Sequence, residues 1–416
     1  MSVKNVLYAQ SGGVTAVINA SACGLIQTAR QYPQRIGKVF AAKNGIIGAL
    51  QEDLIDTSFE SDAAIAQLLH TPSGAFGSCR YKLNDKATEF ERLIDVFKAH
   101  NIGYFFYNGG GDSQDTANKV AHKSAAMGYP VTCIGIPKTV DNDLPFTDAC
   151  PGFGSVAKYI AISTLEAGFD VASMAASSTK VFILEVMGRH AGWIAASSGL
   201  AAKGAHEPPH LILFPEVVFD PKRFLAAVNQ CVQQHGFCVI VVSEGIRDKA
   251  GRFLSDSGLR DAFGHAQLGG VAPVIANLVK QELQLKYHWA VADYLQRAAR
   301  HIASKVDVEQ AYALGKAALE LALQGHNAIM PIIVREQDKP YRWSIAHVPL
   351  AEVANQEKAM PAEFIRPDGM GITEACRQYL EPLIQGEAYP PYHDGLPVYV
   401  RLKNQLVEKK LELSPL

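Results

Sequence analysis

No run of apolar residues in this chain approaches the about 20 needed to cross a bilayer as a helix, so a helical membrane span is excluded. Excess charge of one sign is also missing. Lys and Arg number 39 against 41 Asp and Glu, and a formal net charge of −2 gives no basic field for nucleic acid or an anionic membrane. Cysteine is sparse and unpatterned: Cys23, Cys79, Cys133, Cys150, Cys231, Cys238 and Cys376 make an odd number with no Cys-x-x-Cys pair. They read as reduced, mostly buried thiols, not as a disulfide framework or a zinc site. Internal repeats and low-complexity linkers are absent. Met1-Ser2-Val3-Lys4 leads straight into a strand-like segment without a signal-peptide core, so a soluble, cytoplasmic protein is expected. What is present is a chain of 416 residues, 48% hydrophobic, long enough to bury a large core in two or three domains.

The most informative stretch is a pair of loops. Residues 104–107 and 131–136 are short β-branched or aromatic runs without charge, as strands buried on both faces of a parallel sheet are. The first runs into Asn108-Gly109-Gly110-Gly111-Asp112-Ser113, the second into Pro137-Lys138-Thr139-Val140-Asp141-Asn142-Asp143. Between them, residues 115–127 carry Ala117, Val120, Ala121 and Ala125 at helical spacing, so the unit reads strand, loop, helix, strand. Both loops would then leave the carboxyl ends of neighbouring strands, where open α/β sheets hold their ligands. Consecutive glycines let backbone N–H groups approach an anion, and the helix that follows turns its positive end toward it, which is chemistry for phosphate. The second loop adds the cation Lys138, the hydroxyl of Thr139, and Asp141, Asn142 and Asp143 as groups able to act as acid, base or metal ligand. Either loop alone could be turn chemistry only; two on adjacent strand ends argue against that.

Other segments repeat the pattern. Residues 5–10 form a strand candidate, followed by Ser11-Gly12-Gly13-Val14-Thr15 and a helical pattern through Arg30. This turn lacks the Lys of a Walker loop and the third Gly of the dinucleotide fingerprint, so it says phosphate and no more. Residues 39–43 read as a strand, residues 44–48 as its loop, and residues 73–80 as a Gly/Ser loop closing on Arg80, a candidate phosphate contact. Gly152-Phe153-Gly154-Ser155-Val156-Ala157 matches G-x-G-x-x-A, but no strand precedes it, and residues 155–169 read better as a helix. His206-Glu207-Pro208-Pro209-His210 matches H-E-x-x-H in letters, but its prolines forbid the helix a zinc site of that kind needs. Strands are expected at 181–185, 211–214, 237–243 and 328–334, and helices at 271–284 and, from a capping-box-like Asp307 and Gln310, to about Gly325. Residues 361–416 give only weak signals.

Taken in order, residues 10–15, 74–80, 109–113, 137–143 and 187–189, Glu244 and residues 294–297 resemble the phosphofructokinase family, in detail its pyrophosphate-dependent branch. The match covers roughly the first three quarters of the chain. The resemblance implies two Rossmann-like three-layer α/β domains with mostly parallel sheets facing across an active-site cleft. Residues 1–150 plus about 297–345 would form the pyrophosphate domain, and residues 151–296 plus about 346–416 the fructose 6-phosphate domain.

It further implies reversible phosphoryl transfer from pyrophosphate to the 1-hydroxyl of fructose 6-phosphate, with Mg²⁺. Asp141 would be the general base, and Thr139 would hold the sugar and the transferred phosphoryl. Lys138 and Asp112 would complete the catalytic set, and Gly12, Gly13, Arg80, Gly110, Gly111 and Lys138 would hold the donor. Thr139, Asp141, Met187, Gly188, Arg189, Glu244, Tyr294 and Arg297 would hold the sugar phosphate. Lys180 stands where relatives have an arginine that reaches a neighbouring subunit's substrate, so a homodimer or homotetramer is expected.

Two positions depart from the family pattern. Gly111 replaces the first Asp of Gly-Gly-Asp-Asp-Ser, which leaves Asp112 as the metal ligand or shifts the ion onto water and Asp143. His288 stands where some members have arginine. In ATP-using relatives glycines occupy the positions of Asp112 and Lys138. Alternatives are an ATP-dependent 6-phosphofructokinase and a non-catalytic sugar-phosphate-binding regulatory paralogue.

Overall fold

The computed structural model describes residues 3–83, 87–204, 206–255 and 270–412. In chain order its main strands are β1 (Lys4–Gln10), β2 (Ile36–Ala42), β3 (Leu54–Asp56), β4 (Ile102–Gly109), β5 (Thr132–Pro137), β6 (Val181–Val186), β7 (Leu211–Leu213), β8 (Cys238–Ser243), β9 (Tyr287–Val291), β10 (Ile329–Gln337) and β11 (Arg342–Pro349). The helices are α1 (Ile18–Arg30), α2 (Gly45–Leu50), α3 (Asp62–Gln67), α4 (Ala87–Ala99), α5 (Gly111–Ala126), α6 (Phe153–Met174), α7 (Trp193–Ser197), α8 (Pro221–His235), α9 (Val271–Leu283), α10 (Asp293–Ala298), α11 (Lys305–Leu323), α12 (Leu350–Val353) and α13 (Glu374–Leu380). This is the α/β class expected, with two mainly parallel sheets. The chain divides into unit 1 (Met1–Gly152, Arg300–Lys358, Gly386–Leu416) and unit 2 (Phe153–Ala299, Ala359–Gln385).

In unit 1 the sheet order is β11-β10-β5-β4-β1-β2-β3, with β3 and β11 antiparallel at the two edges and the interior parallel. The central strands β1 and β4 are apolar on both faces, so each can be covered by helices on both sides. The chain leaves β1 toward β2 on one side and later leaves β4 toward β5 on the other, so the direction of winding reverses between β1 and β4. That is the position at which a crevice opens beyond the strand ends.

On one face α1 lies against α11 at a contact that only glycine permits: a Cβ on Gly24 would stand 2.2 Å from the Tyr312 carbonyl oxygen, and one on Gly315 would stand 2.0 Å from that of Ser21. Asp307 departs from the expected capping role. Helix α11 already begins at Lys305, and the Asp307 carboxylate accepts the N–H of Gly152 at 2.9 Å. Residues 44–48, expected as a loop, belong mostly to α2.

The last described residues also differ from expectation, which gave all of 346–416 to the second domain. The Asp56 N–H donates to the Gln405 carbonyl and the Val407 N–H to that of Leu54, both at 2.9 Å, so residues 405–407 lie along β3 at the open edge of the sheet in unit 1. The buried Glu52 carboxylate accepts the N–H groups of Lys410 and Leu411 and holds the segment further along.

In unit 2 the sheet is β7-β8-β6-β9, all parallel. Every residue of β8 is buried, while β9 at the edge leaves His288 and Trp289 exposed. The Glu185 carboxylate, in the buried strand β6, accepts the N–H groups of Gly270 (3.0 Å) and Ala272 (2.8 Å) and so caps the amino end of α9. Among the described residues no helix is long and apolar enough to cross a membrane.

Candidate active site

The first group of expected site residues gathers at the carboxyl ends of β1, β4 and β5 in unit 1. After β1 the chain turns through Gly12, whose φ of +73° is a left-handed conformation that glycine adopts without cost. The loop of residues 74–80 is laid against this turn. The Gly12 N–H donates to the Cys79 carbonyl at 2.9 Å, and the Ser78 hydroxyl donates to the Gly12 carbonyl at 2.8 Å. Arg80 follows Cys79 and is exposed. Lys138 is buried, and its ammonium donates to the Gly13 carbonyl at 2.7 Å, so this cation from the β5 loop stands at the β1 turn.

Gly110 is the residue before α5, and Gly111 and Asp112 form its first turn, where free N–H groups and the helix dipole favour an anion. The helix starts four residues earlier than the spacing predicts, because Gly111 and Asp112 carry no apolar periodicity to mark its first turn. Nothing lies within 4 Å of a Cβ built on Gly111, so this glycine faces open space and is not demanded by packing. The Asp112 carboxylate pairs through Oδ1 with the Lys82 ammonium at 2.8 Å, and both side chains keep more than two fifths of their surface exposed. Among the described residues no group of three carboxylate, imidazole or thiol ligands forms around Asp112.

The loop after β5 is held by its own polar groups. The Asp141 N–H donates to the Thr139 hydroxyl at 3.1 Å, and Thr139 bridges in parallel to Gly152. Asn142 is fully buried with a φ of +55°, and its Oδ1 accepts the Cys150 N–H at 3.0 Å and the Lys358 ammonium at 3.2 Å. Of the three groups expected as acid, base or ligand, Asn142 is therefore a tie within the loop. Lys358 also donates from Nζ to the carbonyls of Thr147 (3.0 Å) and Asp148 (3.1 Å). Burial pushes the Asp143 carboxyl above its ordinary range, Glu357 adding to the shift while Thr139 and Lys358 oppose it; burial pulls the Lys358 ammonium down.

The second group lies in unit 2, beyond the carboxyl ends of β6 and β8 and in the helix after β9. Met187, Gly188 and Arg189 follow β6 directly. The Met187 N–H donates to Gln296 Oε1 at 3.3 Å, and the Gly188 N–H donates to Glu244 Oε1 at 3.4 Å. Ser243, the last residue of β8, donates its hydroxyl to the Gly188 carbonyl. Burial raises the Glu244 carboxyl, with the Gly188 N–H and the Arg189 charge opposing. In α10 the Arg297 guanidinium lies 3.9 Å above the centre of the exposed Tyr294 ring, so the Tyr and Arg three apart form one stacked unit.

Lys180 stands at the other end of β6 from Met187, and its Nζ donates to the Ala175 carbonyl just past α6. Lys286 donates to the Ser178 hydroxyl at 2.8 Å, and His288 is exposed on β9.

Sequence reading missed Lys82, Ser243, Gln296 and Lys358. Ser243 and Gln296 adjoin expected site residues, and that adjacency was the available signal. Lys358 sits in Asn355-Gln356-Glu357-Lys358, a stretch that reads as solvated surface and carried none.

Residues 5–322 match the family model described as Phosphofructokinase. The chain is 68% identical, over 100% of its length and 99% of the relative's, to the pyrophosphate–fructose 6-phosphate 1-phosphotransferase of Methylococcus capsulatus. To the protein of the same description in Halomonas elongata it is 65% identical, over 99% of each chain. The crystal structure of a pyrophosphate-dependent phosphofructokinase from Marinobacter aquaeolei superposes with a TM-score of 0.92 at 66% identity, covering 99% of both chains.

Proposed function

The chain belongs to the phosphofructokinase family, and from that premise we propose that it is an enzyme transferring a phosphoryl group reversibly between pyrophosphate and the 1-hydroxyl of fructose 6-phosphate. The observation that carries this reading is the meeting of Lys138 with the Gly12–Gly13 turn at the winding reversal in unit 1. A buried ammonium beside glycine N–H groups and the amino end of α5 suits a compact, highly charged phosphate donor. Loose phosphoryl transfer asks chiefly for positioning and for positive charge around the equatorial oxygens, which these groups supply together with Arg80.

Asp141 takes the proton of the attacking hydroxyl, and Thr139, through which the loop is hydrogen-bonded, orients the sugar and the transferred group. Met187, Gly188, Arg189, Glu244, Tyr294 and Arg297 hold the sugar phosphate. Glu244 suits hydroxyls, and the stacked Arg297 with Arg189 suits the phosphate dianion.

Mg²⁺ fits the residues present. The cation keeps most of its shell as water and substrate oxygen and takes one or two carboxylates, and Asp112 has Oδ2 to offer beside the open space at Gly111. When bound, it neutralises charge on the donor phosphates. Lys180 is assigned to a neighbouring copy's sugar site in a homodimer or homotetramer, since it stands at the opposite end of β6 from Arg189. An aldolase-coupled assay with fructose 6-phosphate, Mg²⁺ and either pyrophosphate or ATP tests the function. Turnover with pyrophosphate is expected, and equal efficiency with ATP would overturn the donor assignment.

A further inference from the structure

We propose that the amino-terminal end of the sheet in unit 2 carries a binding site for a thiophilic divalent cation of the zinc class, formed by His210, Cys231 and His235. One ligand atom from each of these three residues lies within 4.8 Å of the others. A tetrahedral site with metal–sulfur and metal–nitrogen bonds of about 2.3 and 2.0 Å has edges of about 3.3–3.6 Å, so closure asks each side chain to move by roughly an ångström.

The backbone brings the three together by construction. Cys231 and His235 are four apart in the last turn of α8 and share one face of it. Gly236, at a φ of +82°, ends the helix and returns the chain into β8, whose first residue is the buried Cys238. His210 immediately precedes β7, the parallel neighbour of β8. Its N–H donates to the Val239 carbonyl at 2.9 Å, and the Val239 N–H donates to its Nδ1 at 3.0 Å, so the ring is fixed against the sheet. Its other nitrogen, Nε2, is buried and meets no partner at hydrogen-bond geometry among the described residues, the Cys231 thiol being its polar neighbour. Stacked rings alone would be ordinary packing, and His210 does stack on His235 at 5.2 Å. A buried ring nitrogen left unsatisfied is not ordinary, and once its proton has moved to the other nitrogen it offers a lone pair to a metal. Further donors stand by: Cys238, and His206, whose ring centre is 5.0 Å from that of His235.

Imidazole with thiolate selects the zinc class over Mg²⁺, which wants oxygen, so this cation differs in kind from one held at Asp112. The Val239 N–H directs the ring proton of His210 to Nε2 in the metal-free chain. Binding must move that proton to Nδ1 at the expense of the Val239 hydrogen bond, which makes the site weaker than a closed structural zinc centre. Glu244 follows the far end of β8, and six residues of strand span about 20 Å, so the cation would tie α8 to β7 and β8 without touching the reacting groups. Neither the cysteine spacing nor the H-E-x-x-H letters could reveal it, because the ligands come from two segments and no single motif.

The test uses the whole chain, reduced and stripped with chelator, titrated with Co²⁺. One equivalent is expected to bind with a thiolate-to-cobalt charge-transfer band and tetrahedral visible absorption, reversed by Zn²⁺ and untouched by excess Mg²⁺. Cys231→Ser should abolish the charge-transfer band and His235→Ala should weaken binding at least about tenfold, with phosphotransferase activity retained. Zn²⁺ should raise the melting temperature of the wild type and not that of Cys231→Ser; His235→Ala carries the same comparison if the serine variant does not fold. Absence of cobalt uptake by the wild type, or a charge-transfer band that survives Cys231→Ser, overturns the proposal. So does loss of two thiols to peroxide with no metal uptake, which would make Cys231 and Cys238 a redox pair instead.

Discussion

Lys358 holds both residues that follow Asp141: its Nζ donates to Asn142 Oδ1 at 3.2 Å and its backbone N–H donates to the Asp143 carbonyl at 2.6 Å. Truncating it would strip that donor from three acceptors at once, namely Asn142 Oδ1 and the carbonyls of Thr147 and Asp148. Lys358→Met is expected to cost about 2–4 kcal/mol of stability and to lower kcat more than it raises KM, because the loop carrying the base is loosened. Lys358→Arg should recover part of kcat. Equal kinetics in Lys358→Met and wild type would remove the positioning role.

For Asp141 itself, replacement by Asn keeps the shape of the side chain and removes the base. Substrate affinity should stay roughly intact while kcat falls by about 10²-fold or more. Steady-state kinetics measure both, and a near wild-type kcat would sink the assignment.

Donor choice is expected to rest on Asp112 and Lys138. A carboxylate beside the amino end of α5 repels the α-phosphate of a nucleotide, and the buried ammonium at Gly13 suits pyrophosphate, together giving a preference of about 10³-fold or more. The double variant Asp112→Gly with Lys138→Gly should lose turnover with pyrophosphate and gain some with ATP. No gain with ATP would leave donor choice to other residues.

Glu244 should reveal itself through pH. Burial places its carboxyl pKa in the folded chain above the unfolded value. Such a group carries no penalty below the unfolded value, and the folded state loses stability as pH rises through the folded value. Glu244→Gln cannot ionise, so its melting temperature relative to wild type should climb from about pH 4 toward neutrality. A difference independent of pH would contradict the burial. The same variant should raise KM for fructose 6-phosphate more than it changes kcat.

Lys180 is expected to complete a neighbour's site. Mixing inactive Lys180→Ala and inactive Asp141→Ala chains should restore part of the activity through hybrid sites. No recovery despite demonstrated subunit exchange would leave Lys180 with its contact to the Ala175 carbonyl and nothing more.

How far the sequence was legible depended on where each signal lay. β4, β5 and the loops that leave them could be read because uncharged strands and glycine turns announce themselves locally. β3, of three residues, and β11, an edge strand of alternating exposure, gave too little contrast to be seen. Asp307 looked like a helix cap and serves Gly152 instead, since a side chain in the first turn of a helix cannot announce a partner 155 positions away. Lys358 was invisible for the same reason: a lysine reads as surface until the carbonyls that surround it are known.

The residues that cover β3 carry a consequence for synthesis. Glu52 and Lys410, which lock that cover in place, are 358 positions apart. Residues 54–56 are therefore synthesised long before residues 405–411, and until that segment is made it cannot cover the edge that β3 offers for pairing with another chain. Premature termination just before residue 405 would release a polypeptide that contains every catalytic group named above and one uncovered sheet edge.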